Sequence, residues 1–588
     1  MKRIRLLLAC LLVAVAALVA APARGIETFA RFVPDGAVFY ADTQNLEGFW
    51  RRIEQSNFWA KFTRLKIWEN VEFLRYHEFR EGFAETLGFE FNTENVMAVL
   101  GQEFALALYM EAAEAGEGRP KIELLVVARM NPPETVEAML DEVLERAKEA
   151  GDEVVISAVE YDGVKIRTIK MQGDDPPIQL RWAMKEGVLV AGISNRPPRI
   201  EACLDCMGGA GTPLAANPQF AKLIGMARQD RGTFFSEAYL DLVKLGGGLS
   251  DFGGSDPVKA MVANLFDMMT GSAEAFVYTT HLDRGLRIKF AAEPGPEVTE
   301  MMGVLRKAAP AAGTHMKYVA PNALMYYGAN SLPPMAELWP YVMKRLGRVG
   351  LDDKVRDVIE QIELALEVDF EADVLGNLGP EMAVVLEGFD MDGGPFPFPK
   401  ATVLLQVKDK AKAQAFVDKI AGLIEEVVPP EAGLTVTELT HQDATLKVVG
   451  VPLPVGMTIT PTIGLTENFL FVSSGETYAK TTLNAAKGGV NLFNSALYRS
   501  LGIPEKTNSL AIVNMDELMK TAREVVEWGL SMAEMEGAGD QAKEWVDAYL
   551  LPLLDCLGAF KTMAVYGAVT PEGLCAVYIF RVEDIPAD

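Results

Sequence analysis

Two glutamates stand out because each follows a glycine by two positions at the start of an apolar run. Glu103 follows Gly101, and Glu381 follows Gly379. A carboxylate there could act as a general acid or base, but such chemistry needs a second group beside it. No histidine, lysine or second acid recurs next to both glutamates. The pattern favours a turn glycine whose glutamate binds backbone or an arginine, with a catalytic carboxylate as the alternative.

A Cys-x-x-Cys pair, Cys203 and Cys206, is the other candidate for chemistry. Redox cysteines usually lie at helix N-termini, where the helix dipole stabilises a thiolate. Here a helix is predicted to start near Pro198, so both cysteines fall close to its C-terminal end before Gly208. The spacing therefore indicates core residues, with a structural disulfide or a redox pair as alternatives.

The remaining motifs predict no metal site and no cofactor. The four histidines have no histidine or cysteine at metal-ligand spacing; they are His77, His281, His315 and His441. No Gly-x-Ser-x-Gly elbow and no phosphate-binding GxxxxGK[ST] loop occurs. The segment Gly246–Gly254 is rich in glycine but lacks the lysine of a phosphate loop, so it predicts a flexible connection between helices.

The elements that carry these residues indicate an α+β fold. Short apolar runs predict strands, at Ala37–Ala41, Phe104–Tyr109, Ile122–Ala128, Val188–Gly192 and Ala275–Thr280. Apolar residues at helical spacing predict amphipathic helices around 136–147 and 416–427. Asp516 follows a predicted strand and precedes a helical pattern, as an N-cap residue would. The hairpin-like order of the runs favours a mainly antiparallel sheet.

The chain repeats itself with a period near 280 residues. Asn95–Leu108 reappears as Asp373–Leu386, with six of fourteen residues identical, and Val33–Tyr40 reappears as Ala320–Tyr327. Four further segments match in the same order: Pro120–Ala128 with Pro399–Val407, Val188–Ala191 with Phe469–Val472, Phe235–Asp241 with Leu510–Asp516, and Gly285-Leu286 with Gly573-Leu574. Six colinear matches predict two tandem copies of one domain, 26–290 and 312–582, joined by a linker at 291–311.

The N-terminus predicts export. Lys2, Arg3 and Arg5 precede an apolar run, Leu6–Ala21, and small residues follow at the cleavage position. This is the pattern of a secretory signal peptide, here residues 1–23, although an uncleaved anchor is the alternative. No later stretch reaches transmembrane length, so we expect a periplasmic or secreted protein without a membrane span after signal removal.

Composition describes a globular chain with an acidic surface. Of the 588 residues, 49% are hydrophobic and 23% are charged, which excludes a disordered or collagen-like chain. The formal net charge of −26 would repel phosphate backbones, so nucleic acid is not an expected partner.

Short motifs give the chain a resemblance to a family of exported bacterial proteins of uncharacterised function. The motifs are a strand after a proline ending in Phe-Tyr or Tyr-Tyr, then Asn-Leu, then Leu-Gly-x-Glu entering an apolar strand. They occur here as Phe39-Tyr40, Asn45-Leu46 and Leu100–Glu103, and again as Tyr326-Tyr327, Leu332 and Leu378–Glu381. The second copy has Ser331 in place of the asparagine. The resemblance implies the architecture and the exported location, and it implies no activity.

Three functions are compatible with these features. The first is a non-catalytic binding or scaffolding protein of the cell envelope, whose partner is an unidentified protein. The second is a carrier or sensor of an apolar, lipid-like ligand, for which the 26 methionines and 29 phenylalanines would suit an adaptable cleft. The third is an enzyme whose carboxylates act without a recognisable motif. The lack of catalytic motifs favours the first.

Overall fold

The computed structural model describes most of the chain after its first 27 residues. The described residues are 28–582 except 67–92, 112–120, 150–153, 173–176, 229–231, 251–269, 349, 392–395, 428–432, 454–457, 536 and 538. The predicted signal segment 1–23 and His77 lie outside them. The chain divides into unit 1, which ends at Val298, and unit 2, which comprises Thr299–Val582.

Unit 1 contains an antiparallel sheet. Its strands are β1 (Phe39–Gln44), β2 (Glu103–Glu111), β3 (Lys121–Arg129), β4 (Val154–Tyr161), β5 (Val164–Met171), β6 (Gln179–Lys185), β7 (Val188–Ser194), β8 (Thr233–Asp241), β9 (Ala273–Leu282) and β10 (Gly285–Pro294). They pair in the order β4-β5-β6-β7-β3-β2-β1-β8-β9-β10. The predicted strands and the antiparallel pairing of the α+β fold are therefore confirmed.

Helices cover both faces of this sheet. They are α1 (Leu46–Glu54), α2 (Asn57–Phe62), α3 (Thr93–Leu100), α4 (Pro133–Glu149), α5 (Ile200–Gly208), α6 (Pro218–Ala227) and α7 (Leu242–Ser250). On one face, Phe49 of α1 stacks on Phe235 at 4.9 Å between ring centroids. On the other, Phe220 of α6 makes edge contacts with Tyr40 and Tyr239 at 5.8 and 5.5 Å.

Local signals in the sequence explain where these elements begin and turn. Asn217 caps α6 by accepting hydrogen bonds from two backbone N–H groups at 3.0 Å, with Pro218 in the first turn. The β4–β5 and β6–β7 hairpins turn at Asp162-Gly163 and Glu186-Gly187, where all four residues have positive φ. Two consecutive left-handed residues make the tight turn that matches the twist of paired strands.

Unit 2 contains a second antiparallel sheet. Its strands are β11 (Met325–Ala329), β12 (Leu378–Asp390), β13 (Phe398–Val407), β14 (Thr435–His441), β15 (Ala444–Pro452), β16 (Thr458–Ile459), β17 (Thr462–Leu465), β18 (Phe469–Ser473), β19 (Ser509–Asn514), β20 (Phe560–Val569) and β21 (Leu574–Val582). Apart from the short β16, they pair in the order β14-β15-β17-β18-β13-β12-β11-β19-β20-β21. This order corresponds strand for strand to that of unit 1.

The helices after unit 1's sheet are, in chain order, α8 (Pro296–Leu305), α9 (Met335–Arg348), α10 (Asp352–Leu366), α11 (Lys410–Val427), α12 (Glu476–Gly488), α13 (Ala496–Leu501), α14 (Met515–Met535), α15 (Gly539–Trp545) and α16 (Leu551–Leu557). On one face of unit 2's sheet, Leu483 of α12 and Leu501 of α13 join a buried cluster with Tyr326, Leu404 and Phe471. None of the helices that the structure describes has the length and hydropathy needed to cross a membrane.

The range 291–311, between the two predicted copies, contains the end of β10 and helix α8. Two local predictions need correction. Gly246 to Ser250 belong to α7 and not to a flexible connection; this helix begins where Asp241 Oδ1 accepts from the Lys244 N–H at 2.9 Å. The rest of the predicted connection, 251–254, lies outside the described residues. The cap of α14 is Asn514, which accepts from the Glu517 N–H at 3.4 Å, whereas Asp516 lies in the first turn.

Candidate functional site

Glu103 is the first residue of β2, and Gly101 lies in the bend between α3 and β2. The Glu103 carboxylate binds Arg129 on β3, with Oε2 at 3.3 Å from both Nε and Nη2. Gly101 does not have positive φ. A side chain is excluded because a Cβ would lie 2.2 Å from the Met97 carbonyl oxygen. The glycine therefore permits the tight last turn of α3, in which the Gly101 N–H donates to that same carbonyl oxygen at 2.8 Å.

Two further acids share the sheet face of Glu103. Asp42 on β1 lies directly opposite Glu237 on β8, and Glu103 is its diagonal neighbour on β2 because Asp42 pairs with Ala105. Asp42 and Glu237 are 1% and 2% exposed. Each of the three carboxylates has one oxygen without a hydrogen-bond partner among the described residues. We call Asp42, Glu103 and Glu237 the acid cluster.

The pKa of each carboxyl group in the acid cluster is raised above its usual value. Burial raises the pKa of Asp42, and the nearby charges of Glu237 and Glu103 raise it further. Burial raises the pKa of Glu237 to about 7, against hydrogen bonding to Thr28 and the charge of Arg228. Burial raises the pKa of Glu103 more than Arg129 lowers it. Asp42 Oδ2 also accepts from the Phe29 N–H at 2.9 Å, which fixes the segment before β1 on the sheet.

The Gly379–Glu381 segment corrects a prediction. These residues form a bulge within β12, not a turn before it, because Leu378 pairs with Val407 while Met382 pairs with Leu405. Proline lacks the N–H that a regular ladder needs, so it is tolerated at a bulge. A Cβ on Gly379 would lie 2.6 Å from the Gln406 side-chain oxygen. The bulge aims Glu381 at the segment that precedes β11.

Glu381 has hydrogen-bond partners that its sequence neighbourhood does not indicate. Its carboxylate accepts from the backbone N–H groups of Thr314 and His315 at 2.7 and 3.1 Å. His315 Nδ1 lies 2.9 Å from the same carboxylate, and His315 Nε2 lies 2.6 Å from the Tyr326 hydroxyl. A Cβ on Gly328 would lie 2.3 Å from His315 Nε2, so only glycine leaves room for the ring.

The electrostatics of Glu381 are opposite to those of Glu103. Burial alone would raise its pKa, but the hydrogen bonds and charge of His315, together with Thr314, bring the pKa below the usual value. The Glu381–His315–Tyr326 chain has the order of a proton relay. All three side chains are buried, at 7%, 0% and 1% exposure. These hydrogen bonds hold the 3-10 helix Thr314–Tyr318 against the sheet.

The cysteine pair lies on α5, toward its C-terminal end, as the spacing indicates. Cys203 and Cys206 are both buried free thiols, so the candidate disulfide is not formed in this structure. The Cys203 thiol lies 3.1 Å from the Phe32 carbonyl oxygen, to which it donates. Burial raises the pKa of both thiols, away from the reactive thiolate. Among the described residues, no group of three or more His, Cys, Asp or Glu is placed to hold a metal ion.

The open apolar face of unit 2 is a feature that sequence reasoning missed. Successive cross-strand pairs place one row of apolar side chains on the same face of the sheet. The row and its neighbour Met325 define the open apolar face: Ile463, Val472, Val403, Val384, Tyr327 and Met325. Tyr327, Val472 and Met325 are 43%, 41% and 40% exposed, although β11, β13 and β18 each have a strand on both sides.

Two helices border the open apolar face. α14 packs on β19 and β20, where Val513 and Met563 pack against a buried cluster that includes Met515 and Met519 of this helix. α11 covers the other side, since it lines a groove of about 550 Å³ with Lys447, which pairs with Ile463. An exposed face of an antiparallel sheet is normally polar. A contiguous apolar surface between two helices therefore indicates a binding site.

Unit 1 covers the corresponding row. Ala41, which pairs with Leu106 and Ala238, is only 9% exposed. On this face Leu46 and Phe49 of α1 and Leu100 of α3 form a buried cluster with Phe104 and Phe235. The open apolar face thus distinguishes unit 2 from unit 1.

Comparison of the chain with protein-family models, with curated proteins and with solved structures gives no match.

Proposed function

We propose that this protein is an exported, non-catalytic binding protein of the bacterial cell envelope that recognises a partner protein through the open apolar face of unit 2. The observation that carries the proposal is the row of exposed apolar side chains on the central strands of unit 2's sheet. Four strand spacings separate Ile463 from Tyr327, a width of about 19 Å. Aromatic and methionine side chains such as Tyr327 and Met325 are typical of interface centres.

The shape of the surface favours a protein over a small apolar ligand. A small-molecule site normally encloses about 70–90% of its ligand's surface. The open apolar face instead forms the floor of a shallow surface between α11 and α14, and its central side chains are about two-fifths exposed. A broad and open floor suits the flat apolar centre of a protein interface. The carrier of a lipid-like ligand is therefore the second candidate.

The buried carboxylates support a structural role over the carboxylate enzyme. A catalytic acid must contact its substrate. The Glu381 carboxylate accepts hydrogen bonds from the Thr314 and His315 N–H groups, and one oxygen of Asp42 accepts from the Phe29 N–H. In each unit these bonds hold the segment that precedes the first strand of the sheet. We therefore assign Glu381 to the stability of unit 2 and Glu103 to the ion pair with Arg129 that joins β2 and β3.

The two units are further proposed to be copies of one domain. Their common strand order supports this, as do the colinear sequence matches. The pairing registers refine the alignment: Tyr40 pairs with Ala107 and Tyr239, while Tyr326 pairs with Val385 and Ile512. On this basis Tyr326, rather than Tyr327, corresponds to Tyr40. The signal pattern and the family resemblance support the exported location.

Site-specific photo-crosslinking in the cells that produce the protein tests the binding proposal. A photoreactive phenylalanine analogue replaces Tyr327 in the full chain, and the control carries it at Glu467, an 81% exposed side chain in the β17–β18 turn. We expect a protein adduct from position 327 and not from 467. The crosslinked protein, once purified, should bind the wild-type chain and lose at least about tenfold in affinity for Val472→Lys.

Three outcomes contradict the proposal. Adducts of lipid mass only at position 327 would favour the apolar-ligand carrier. Equal adducts at both positions would indicate random encounters. A purified partner that binds Val472→Lys as tightly as wild type would place the interface elsewhere.

A further inference from the structure

The borders of the open apolar face carry a strong negative charge. On one side, α10 lies beside α11, where Lys419 Nζ donates to the Leu366 carbonyl at 2.8 Å. The segment 351–374 contains nine acidic and two basic residues. On the other side, the segment 515–557, which includes α14, contains ten acidic and three basic residues. α11 itself has three of each sign, so it does not offset this charge.

Many of these acids face solvent. Asp353, Asp357 and Glu360 on α10 are exposed, as are Glu527 and Glu534 on α14. Acidic segments on both sides of an apolar floor produce a negative potential above it. Such a field attracts cationic partners and repels anionic ones, including anionic membrane surfaces.

The pairing of the floor strands limits how a partner can bind. β11, β12, β13 and β18 each have a hydrogen-bonded strand on both sides, so none offers a free backbone edge for strand addition. A partner must therefore present side chains. The three strand spacings from Val472 to Tyr327 span about 14 Å, which accommodates one α-helix of about 10–12 Å diameter.

From these observations we infer that the partner's recognition element is a basic amphipathic helix, with its apolar side on the open apolar face and its lysines and arginines toward the acidic borders. This inference rests on the proposed function and specifies its partner. The apolar floor contributes contact area, and the borders select the sign of charge.

The inference is tested by measuring the binding of designed peptides to the protein without its predicted signal segment, residues 1–23. The probe is a leucine–lysine helix of about 18 residues with one apolar side. One control peptide replaces every lysine by glutamate, and a second scrambles the order so that no apolar side exists. The protein control is Val490→Lys beside α12. Val490 is also exposed, at 69%, but lies next to the helix that covers the opposite sheet face.

We expect the leucine–lysine helix to bind at least about tenfold more tightly than both control peptides, with affinity falling as salt rises from about 50 to about 500 mM. Val472→Lys should weaken binding at least about tenfold, and Val490→Lys should not. If the glutamate peptide binds wild type as tightly as the lysine peptide does, and Val472→Lys abolishes that binding, the partner's helix need not be basic. This result would overturn the inference but would leave the open apolar face as the binding surface. Equal binding of the scrambled peptide would overturn the helix.

Two other results separate this inference from the proposed function. Peptide binding unaffected by Val472→Lys would show attraction to the acidic surface in general, which overturns the inference whatever the crosslinking result. Binding to vesicles of phosphatidylglycerol that is lost in Val472→Lys would assign the open apolar face to a membrane and overturn the inference.

Discussion

Glu103 and Glu381 occupy related places in their units but use their charges in opposite ways. Glu103 belongs to a buried group of like charges, and its pKa is raised by burial despite Arg129. Glu381 accepts from two backbone N–H groups and the His315 ring, so its pKa is lowered although burial opposes this. The charged form is therefore costly in unit 1 and stabilising in unit 2.

The same substitution should consequently have unequal effects at the two sites. Glu103→Gln should change the free energy of unfolding by less than about 1 kcal/mol, because the amide removes a disfavoured charge while losing a half-exposed ion pair. Glu381→Gln should cost about 2–3 kcal/mol, because bonds to a charged acceptor are lost. Calorimetry of the full chain checks this. Equal losses would contradict the assigned electrostatics.

Glu237 should make unit 1 less stable as pH rises. Its folded pKa of about 7 lies above the unfolded value near 4.3. The folded state therefore binds more protons than the unfolded state between these values, and stability falls as pH rises through this window. Glu237→Gln should reduce the loss of stability between about pH 5 and about pH 8 by a few kcal/mol, roughly 3 at most. Exposed Glu467→Gln is the control, and a pH profile unchanged by Glu237→Gln would refute the account.

At the scale of elements, the bend at Gly101 depends on a close backbone approach. Gly101→Ala should destabilise the chain by about 1–3 kcal/mol, because its Cβ would meet the Met97 carbonyl oxygen. Gly225→Ala in α6 is the matched control, since its Cβ meets nothing within 4 Å and alanine favours a helix interior. Thermal unfolding of both variants measures the difference. A Gly101→Ala variant as stable as Gly225→Ala would show that the backbone is not so constrained.

Strands and amphipathic helices could be predicted from the sequence because their periodicity is a local property. The bulge at Gly379–Glu381 could not, since glycine and proline mark turns and bulges alike. His315 lies 66 residues before Glu381, and only the fold brings them together. The sequence nevertheless contains a hint of the acid cluster. Side chains alternate along β1, so the acid Asp42 lies on the same face of the sheet as buried Tyr40.

At the scale of the whole molecule, the open apolar face shows why an exposed apolar surface is hard to predict from sequence. Strands with apolar residues on both faces are usually covered on both. Tyr327 and Val472 fit that pattern in sequence, yet both side chains are about two-fifths exposed, whereas α1 and α3 lie over the matching row of unit 1. Exposure depends on where the helices pack, and the pattern of a single strand does not contain that information.

Native mass spectrometry of the protein purified from the cells that produce it tests the central claim most directly. Wild type, Val472→Lys and Val490→Lys are compared under the same conditions. We predict that wild type and Val490→Lys retain a protein partner and that Val472→Lys loses it, because the lysine would place a charge in the apolar centre of the contact. Retention of the partner by Val472→Lys would contradict binding at this face.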